Sequence, residues 1–456
     1  MSGNKLVNNR YIIFGGTGDL TYRKLMPAFY NLLVKGNLKA NDQIIIVGRR
    51  PLTIDDYLRS LRSWIKDNAR LAFSDDNFKR LSKIISYCKM DISDLNGYGP
   101  LKDRIENNKA LQTIVYLAIA PNLFKVATDG LCNIGLTNIS VVMEKPFGDT
   151  LAEAKQLNTD LQARFGKENL YLIDHYLGKE MVRNILTIRC ANPIFEKVWN
   201  SENIELVEIE AMETVGVENR AEYYDRTGAL KDMVQNHLLQ ILTIVALENP
   251  SDMNSFKQQQ RKILKALTIK EPIKQAILLG QYNGYLEEKG VSENSNTETF
   301  GAIRIFIDQP RWKDVPFVIS SGKKTNERNT QVKITFKQED KKIANNVLVI
   351  RIQPMEGVEM HFNIKTPGQE KGVTEAQLDF CQSCSELNRL NTPEAYEWML
   401  ESITKKEQFW FSEWEQIETS WLFIDKLKEG FHDIDRKLIE YPQGSDLSGL
   451  VKKHLI

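Results

Sequence analysis

Between Asp174 and Lys179 the chain gathers a carboxylate (Asp174), an imidazole (His175), a phenol (Tyr176) and an ammonium (Lys179) around one glycine, Gly178. Few structural needs call for that set. The apolar lead-in Leu170 to Ile173 reads as the end of a buried strand, and Gly178 reads as the turn into a helix that starts near Lys179. His175, Tyr176 and Lys179 are then expected to crowd one mouth, where charge-assisted hydrogen bonds and the positive end of a helix dipole favour a phosphate dianion. The chemistry this predicts is capture of an anionic, phosphorylated substrate.

A nucleotide site is expected nearer the amino terminus. Gly15, Gly16, Thr17, Gly18, Asp19 and Leu20 follow an apolar strand and open an amphipathic helix through Leu33. Small residues there let the backbone approach a pyrophosphate, and the helix N-terminus supplies amide donors. Thr21 stands where the usual dinucleotide fingerprint has its third glycine. The second strand ends at Val47-Gly48-Arg49-Arg50, where such folds meet the adenosine ribose. An acid would favour NAD, whereas arginines such as Arg49 clamp a 2′-phosphate, so NADP is the expected cofactor, with NAD the open alternative. Glu144-Lys145-Pro146-Phe147-Gly148 follows another strand, at the carboxyl edge of the sheet, so Lys145 is placed to reach both cofactor and substrate.

Oxidising an alcohol needs a base for the hydroxyl proton as hydride leaves, and imidazole suits that task near neutral pH. His237, between Asn236 and Leu238 at the start of an apolar helical run, is the candidate, although a helix histidine is more often a satisfied core residue. A buried carboxylate on its other ring nitrogen would fix the tautomer, and Asp174 is the best candidate for that role. Asp232 lies five positions before His237, about 500° of α-helical rotation, and is less suited to that job. Cys381-Gln-Ser-Cys384 has neither a second ligand pair for zinc nor thioredoxin-like surroundings, so reduced thiols and no metal site are expected.

The stretch Ile-Asp-His-Tyr-Leu-Gly-Lys-Glu, Ile173 to Glu180, closely resembles the signature of the glucose-6-phosphate dehydrogenase family. Gly15 to Leu20 followed by Arg23-Lys24-Leu25 is similar to that family's coenzyme loop, with Tyr22 where a lysine is usual. Glu298 to Ile303, Arg311-Trp312, Val315 to Phe317, Ser321 to Lys324 and Val349 to Pro354 resemble further landmarks, so the resemblance spans nearly the whole chain. It implies oxidation of glucose 6-phosphate to 6-phosphogluconolactone with hydride transfer to NADP, the entry to the oxidative pentose phosphate pathway. It also implies His237 as base with Asp174 as its partner, and His175, Tyr176 and Lys179 on the phosphate. Lys145, Glu213 and Asp232 would then bind ring hydroxyls, with Lys323 and Arg328 as cations near the substrate. Two other readings stand beside it. A sugar or polyol dehydrogenase of the Gfo/Idh/MocA type shares the dinucleotide domain, Glu-Lys-Pro and a following sheet, but has no need of the anion cluster. A non-catalytic dinucleotide-binding regulator would bind cofactor without turnover.

These residues need a scaffold of two textures. In the first third, Tyr11 to Gly15, Gln43 to Gly48, Thr113 to Ile119 and Ser140 to Glu144 read as strands alternating with helices, which implies βαβ units and a parallel sheet. Beyond about residue 180, Val207 to Thr214, Phe300 to Ile307, Gln331 to Phe336, Asn346 to Gln353 and Val358 to Ile364 read as a large, mainly antiparallel sheet. Helices around 228 to 247 and 393 to 405 are expected to pack on it, and Lys289 to Thr299 to form a surface loop. The fold class is thus an α/β Rossmann-type dinucleotide-binding domain, residues 1–177, plus an α+β substrate-binding and oligomerisation domain, residues 178–456. A chain of 456 residues has room for both.

Sixty Lys+Arg balance sixty Asp+Glu, so no overall field favours nucleic acid or an anionic membrane, and the anion site must be local. No apolar run approaches the roughly 18 residues of a membrane span. Met1 to Arg10 is polar where a secretory leader has an apolar core. Five cysteines make no disulfide framework, and a cytoplasmic enzyme is expected. One face of the large sheet suits a second subunit, which points to a homodimer or dimer of dimers.

Overall fold

The computed structural model describes residues 8–106, 111–148, 150–432 and 438–456. Most of the polar amino-terminal stretch read above lies outside them. The chain folds as two compact units, Met1–Gly178 with Pro393–Trp414, and Lys179–Thr392 with Glu415–Ile456.

The first unit is built on six strands, β1 (Asn9–Phe14), β2 (Gln43–Gly48), β3 (Ile85–Lys89), β4 (Gln112–Leu117), β5 (Ser140–Glu144) and β6 (Leu170–Ile173), in the order β3-β2-β1-β4-β5-β6. Every neighbouring pair is parallel. Ile12, Ile13 and Phe14 of β1, Ile44, Ile46 and Val47 of β2 and Val141 and Val142 of β5 are fully buried, as a parallel sheet covered on both faces demands. Strand order runs one way from β1 to β3 and the other way from β4 to β6, and sheets of this kind bind ligands at the carboxyl ends where the order switches.

The helix Ala395–Thr404, expected on the large sheet, belongs instead to this first unit. Met399, Leu400 and Ile403 join the core beside Phe29 and Leu33 of the helix Met26–Val34, and the Tyr11 hydroxyl meets Thr404 Oγ1 at 2.8 Å. An apolar helix face shows that a partner is needed and says nothing of which one.

Among the described residues the second unit carries ten strands: β7 (Ile204–Met212), β8 (Leu267–Thr268), β9 (Ile277–Tyr282), β10 (Phe300–Ile307), β11 (Phe317–Gly322), β12 (Asn329–Phe336), β13 (Val347–Gln353), β14 (Gly357–Lys365), β15 (Val373–Cys381) and β16 (Ile439–Tyr441). Their order is β15-β14-β13-β12-β7-β11-β10-β9-β16, with β8 paired to β10. Pairing is antiparallel except for β7 with β11 and β9 with β16. The helical run 230–246 packs on this sheet as expected. Residues 291–299 form a loop whose last two members, Glu298 and Thr299, turn inward and are buried.

One cysteine expectation is corrected. Cys381 and Cys384 form a disulfide, while Cys88, Cys132 and Cys190 are free. The turn that ends β15 folds back on Glu356, whose carbonyl accepts from the amides of Gln382 (2.8 Å) and Ser383 (3.3 Å), and this brings the two Cα atoms within 5.4 Å. That separation lies inside the range a disulfide spans.

Candidate active site

The coenzyme loop is shaped by contacts that only glycine allows. Gly15 has φ +76°, and a Cβ there would lie 2.0 Å from the Ala118 carbonyl oxygen; at Gly16 it would lie 2.2 Å from Ile46 Cγ2. Thr21, in place of the third glycine, is fully buried and its hydroxyl donates back to the Gly15 carbonyl at 3.1 Å. The run Thr21–Leu25 is π-helical and leads into the α-helix Met26–Val34. Asp19 pairs with Arg23 one turn on, at 3.1 Å.

Tyr22, the departure from the family's usual lysine, is not a phosphate ligand in waiting. It is buried and stacks on Tyr57 (5.4 Å) and Trp64 (5.9 Å), and Tyr57 stacks in turn on Tyr87 (5.7 Å). The Tyr57 hydroxyl donates to the Gly16 carbonyl at 3.2 Å and the Tyr87 hydroxyl to the Arg50 carbonyl at 2.8 Å. This aromatic stack, absent from the sequence reading, therefore supports both the glycine turn and the arginine pair. Arg49 and Arg50 are exposed just past β2. The close-packed glycines, the helix start and these two guanidinium groups fit a dinucleotide carrying a 2′-phosphate.

At the other end of the same sheet edge, the Lys145 ammonium lies 3.0 Å from Asp174 Oδ2, and both side chains are almost wholly buried. Asp174 Oδ1 accepts from the Tyr176 amide at 2.9 Å, and the Asp174 carbonyl accepts from the Leu177 amide at 3.0 Å. The carboxylate thus shapes the turn that presents His175 and Tyr176, whose rings lie 4.9 Å apart. The bond between Lys145 and Pro146 is cis. Glu144, one residue earlier, was given no role from sequence. Its Oε1 accepts from the Tyr116 hydroxyl at 2.5 Å, Tyr396 also bonds to it, and loss of surrounding water pushes its carboxyl up to about 7.

In the second unit Lys179 is the N-cap of the helix Glu180–Cys190, and its ammonium donates to Gln353 Oε1. Gln353 ends β13 and donates to Thr330 Oγ1 at 3.1 Å, so Lys179 is held over the sheet. Glu213, just past β7, pairs with Lys323, just past β11, at 2.5 Å. The register of these parallel neighbours makes the pairing inevitable, since Met212 lies opposite Gly322. Arg328 is exposed in the loop before β12.

Asp232 and His237 both sit on Leu230–Leu238, which winds as a π-helix. Its i→i+5 bonding sets residues five apart one turn from each other, so the α-helical rotation used to separate them does not apply. Asp232 is already engaged: Oδ1 accepts from the Tyr223 hydroxyl at 3.3 Å and lies 3.6 Å from Arg220. Arg220 carried no sequence signal. The helix start is fixed by buried Glu298, whose Oε1 accepts from the Leu230 amide at 3.1 Å and whose carbonyl accepts from the Ala229 amide at 2.9 Å. Gly228, with φ +68°, makes that approach possible, because a Cβ there would lie 2.4 Å from Glu298 Oε1. His237 is buried.

Comparison with known proteins covers both units. The family model for the glucose-6-phosphate dehydrogenase NAD binding domain matches residues 12–184, and that for the C-terminal domain matches residues 186–454. The glucose-6-phosphate 1-dehydrogenase of Bacillus subtilis is 35% identical over 453 residues, 92% of this chain and 90% of that one. Among solved structures, a glucose-6-phosphate dehydrogenase in complex with its substrate glucose-6-phosphate superposes with a TM-score of 0.90 at 32% identity, covering 98% of this chain and 97% of the other. The glucose-6-phosphate 1-dehydrogenase of Mycobacterium avium does so at 0.84 and 29%, covering 96% and 94%. The chain belongs to the glucose-6-phosphate dehydrogenase family.

Proposed function

We propose that the chain oxidises glucose 6-phosphate to 6-phospho-D-glucono-1,5-lactone, the first step of the oxidative pentose phosphate pathway, with His237 as general base and Asp174 as its orienter. The observation that carries this reading is buried Asp174, held between the Lys145 ammonium and the Tyr176 amide in the turn that presents His175. A carboxylate fixed in this way is suited to hold an imidazole in one tautomer and to stabilise its protonated form. NADP, when bound, supplies the acceptor for the hydride from carbon 1. Gly15, Gly16, Thr17, Gly18, Asp19 and Leu20 would hold its pyrophosphate, and Arg49 its 2′-phosphate. His237 takes the hydroxyl proton. His175, Tyr176 and Lys179 bind the substrate phosphate, and Lys145, Glu213 and Asp232 bind ring hydroxyls, with Lys323 and Arg328 as neighbouring cations.

Domains divided near residue 177 follow the change of texture read from sequence. A second copy of the chain is the expected partner, because the register of β14 and β15 lines up Met360, Phe362, Leu378 and Phe380 on one face, where Leu378 is 64% and Phe380 55% exposed. Among the described residues no helix is long and apolar enough to cross a membrane. Three free cysteines accord with a cytoplasmic location.

The test is the initial rate with glucose 6-phosphate and with free glucose, each with NADP and with NAD. Turnover that requires the phosphate supports the substrate, and equal turnover with free glucose overturns it. Replacing His237 by Asn is expected to lower kcat by about 10² to 10⁴; near-normal kcat removes it from the role of base.

A further inference from the structure

We infer that Glu144 is a positioning residue whose proton decides how firmly Lys145 is held to Asp174, and through it how well the site accepts an anionic sugar. The inference rests on the proposed function and deepens it. Glu144 ends β5, and Lys145 is the next residue. Four groups face the Glu144 carboxyl. Tyr116 reaches it from β4 at 2.5 Å and Tyr396 from the helix Ala395–Thr404, both by hydrogen bonds; Asp174, in the turn after β6, and Lys145, next in the chain, act on it through their charges.

The two phenols stay neutral, because burial raises Tyr116 and Tyr396 well above the usual tyrosine range. They are donors and spectators of the titration. The charge question falls on Glu144, whose carboxyl changes state near neutral pH. Protonated, it adds no charge beside the Lys145–Asp174 pair, which stands at 3.0 Å. Ionised, it becomes a second anion beside that pair. Two carboxylates then compete for one ammonium in a place poor in water, where such interactions are weakly screened. The added negative charge also opposes a substrate that arrives as a phosphate dianion. The motif Glu-Lys-Pro thereby gains a use for its first member as well as its second.

Glu144→Gln keeps the shape and removes the charge. The parent-to-variant ratio of KM for glucose 6-phosphate is the readout, because ionisations common to both proteins, those of His237 and of the substrate among them, cancel in it. From about pH 6 to about pH 8.5 that ratio is expected to rise about fivefold or more. A ratio flat across the range overturns the proposal, since a merely structural role changes KM without changing its pH dependence. Tyr396→Phe removes one donor to the carboxylate, so the rise is expected to move to higher pH; an unmoved rise also overturns it. The unfolding midpoint supplies a reading independent of turnover. The folded-state acid holds its proton to higher pH than the unfolded one, so the parent loses stability as pH rises from the ordinary carboxylate range to neutrality, and the variant does not. The variant's midpoint should therefore gain on the parent's across that window and level off above it. No turnover by the parent overturns the proposed function alone, whereas no gain in midpoint overturns the titration of Glu144.

Discussion

The segment Pro393–Trp414 returns from the carboxyl-terminal half to complete the first unit, and one buried carboxylate holds it there. Glu397 is 1% exposed and accepts from Arg70 twice, Nε to Oε1 at 2.9 Å and Nη2 to Oε2 at 2.8 Å. Asn31 Nδ2 adds a third bond at 2.9 Å, and Asn31 Oδ1 accepts from the Leu71 amide at 3.1 Å. Lys35, 3.9 Å away and more exposed, adds little. Glu397→Gln keeps the size but leaves the Arg70 guanidinium, 10% exposed, without its counter-charge. Breaking a buried pair from one side costs about 3 to 5 kcal/mol, because the remaining charge stays desolvated. A chain of two units does not unfold as one, so the quantity to measure is the opening free energy of the helix Ala395–Thr404 by native-state hydrogen exchange. It should fall by about 3 to 5 kcal/mol. Lys102→Gln, which breaks an exposed pair with Glu106 at 3.9 Å, should cost under about 0.5 kcal/mol and serves as the control. The double variant Glu397→Leu with Arg70→Met should lose less than Glu397→Gln alone, since no charge is then left buried. A loss below about 1 kcal/mol in Glu397→Gln would refute the argument that this pair pins the segment. Tyr396 sits one residue before Glu397 and bonds Glu144, so a loosened helix should also disturb the Lys145 strand end.

Two substitutions test the ligand assignments. Lys179→Met removes one charge-assisted bond to the substrate phosphate and should raise KM for glucose 6-phosphate by about 10- to 100-fold with kcat changed far less; an unchanged KM would move the phosphate site elsewhere. Arg49→Ala should raise KM for NADP by about 10-fold or more while that for NAD changes little, and equal effects on both coenzymes would remove Arg49 from the 2′-phosphate.

The parts of the fold that could be read were those in which local pattern and burial coincide. Gln43–Gly48, Ser140–Glu144, Leu170–Ile173 and Phe300–Ile307 have the bounds expected of them, because their residues are apolar or β-branched and nearly all buried. β3, Ile-Ser-Tyr-Cys-Lys, was missed because an edge strand mixes polar residues into the run. β15 was missed for a stronger form of the same reason, since nearly all its residues are exposed and three, Glu375, Gln377 and Asp379, are acidic or amide. The helix Ala395–Thr404 was found but given to the wrong sheet. The Asp232 and His237 geometry was misjudged because hydrophobic periodicity cannot tell a π-helical stretch from an α-helix.

The site divides in the same way. The turn holding Asp174, His175 and Tyr176 was legible because its residues are neighbours in sequence. Lys145 with Asp174, 29 residues apart, and Glu213 with Lys323, 110 apart, depend on strand order and register, which no local pattern contains; Arg220 with Asp232 is joined across the helical kink at Gly228. In the proposed site, the Lys145 and Lys323 pairs would let a chain of zero net charge present cations to a phosphorylated sugar. Lys145 and Lys323, both largely buried, each face a carboxylate within their own unit before any ligand arrives. A bare buried ammonium would be driven to lose its proton or would destabilise the fold; a paired one stays charged and fixed in place. Under the proposed assignments, substrate hydroxyls would find both a donor and an acceptor within one ion pair, so binding would exchange partners instead of neutralising an isolated charge. Glu144 sits at the Lys145 end of this arrangement with two phenols as its hydrogen-bond partners, and its charge, once formed, acts on the same lysine.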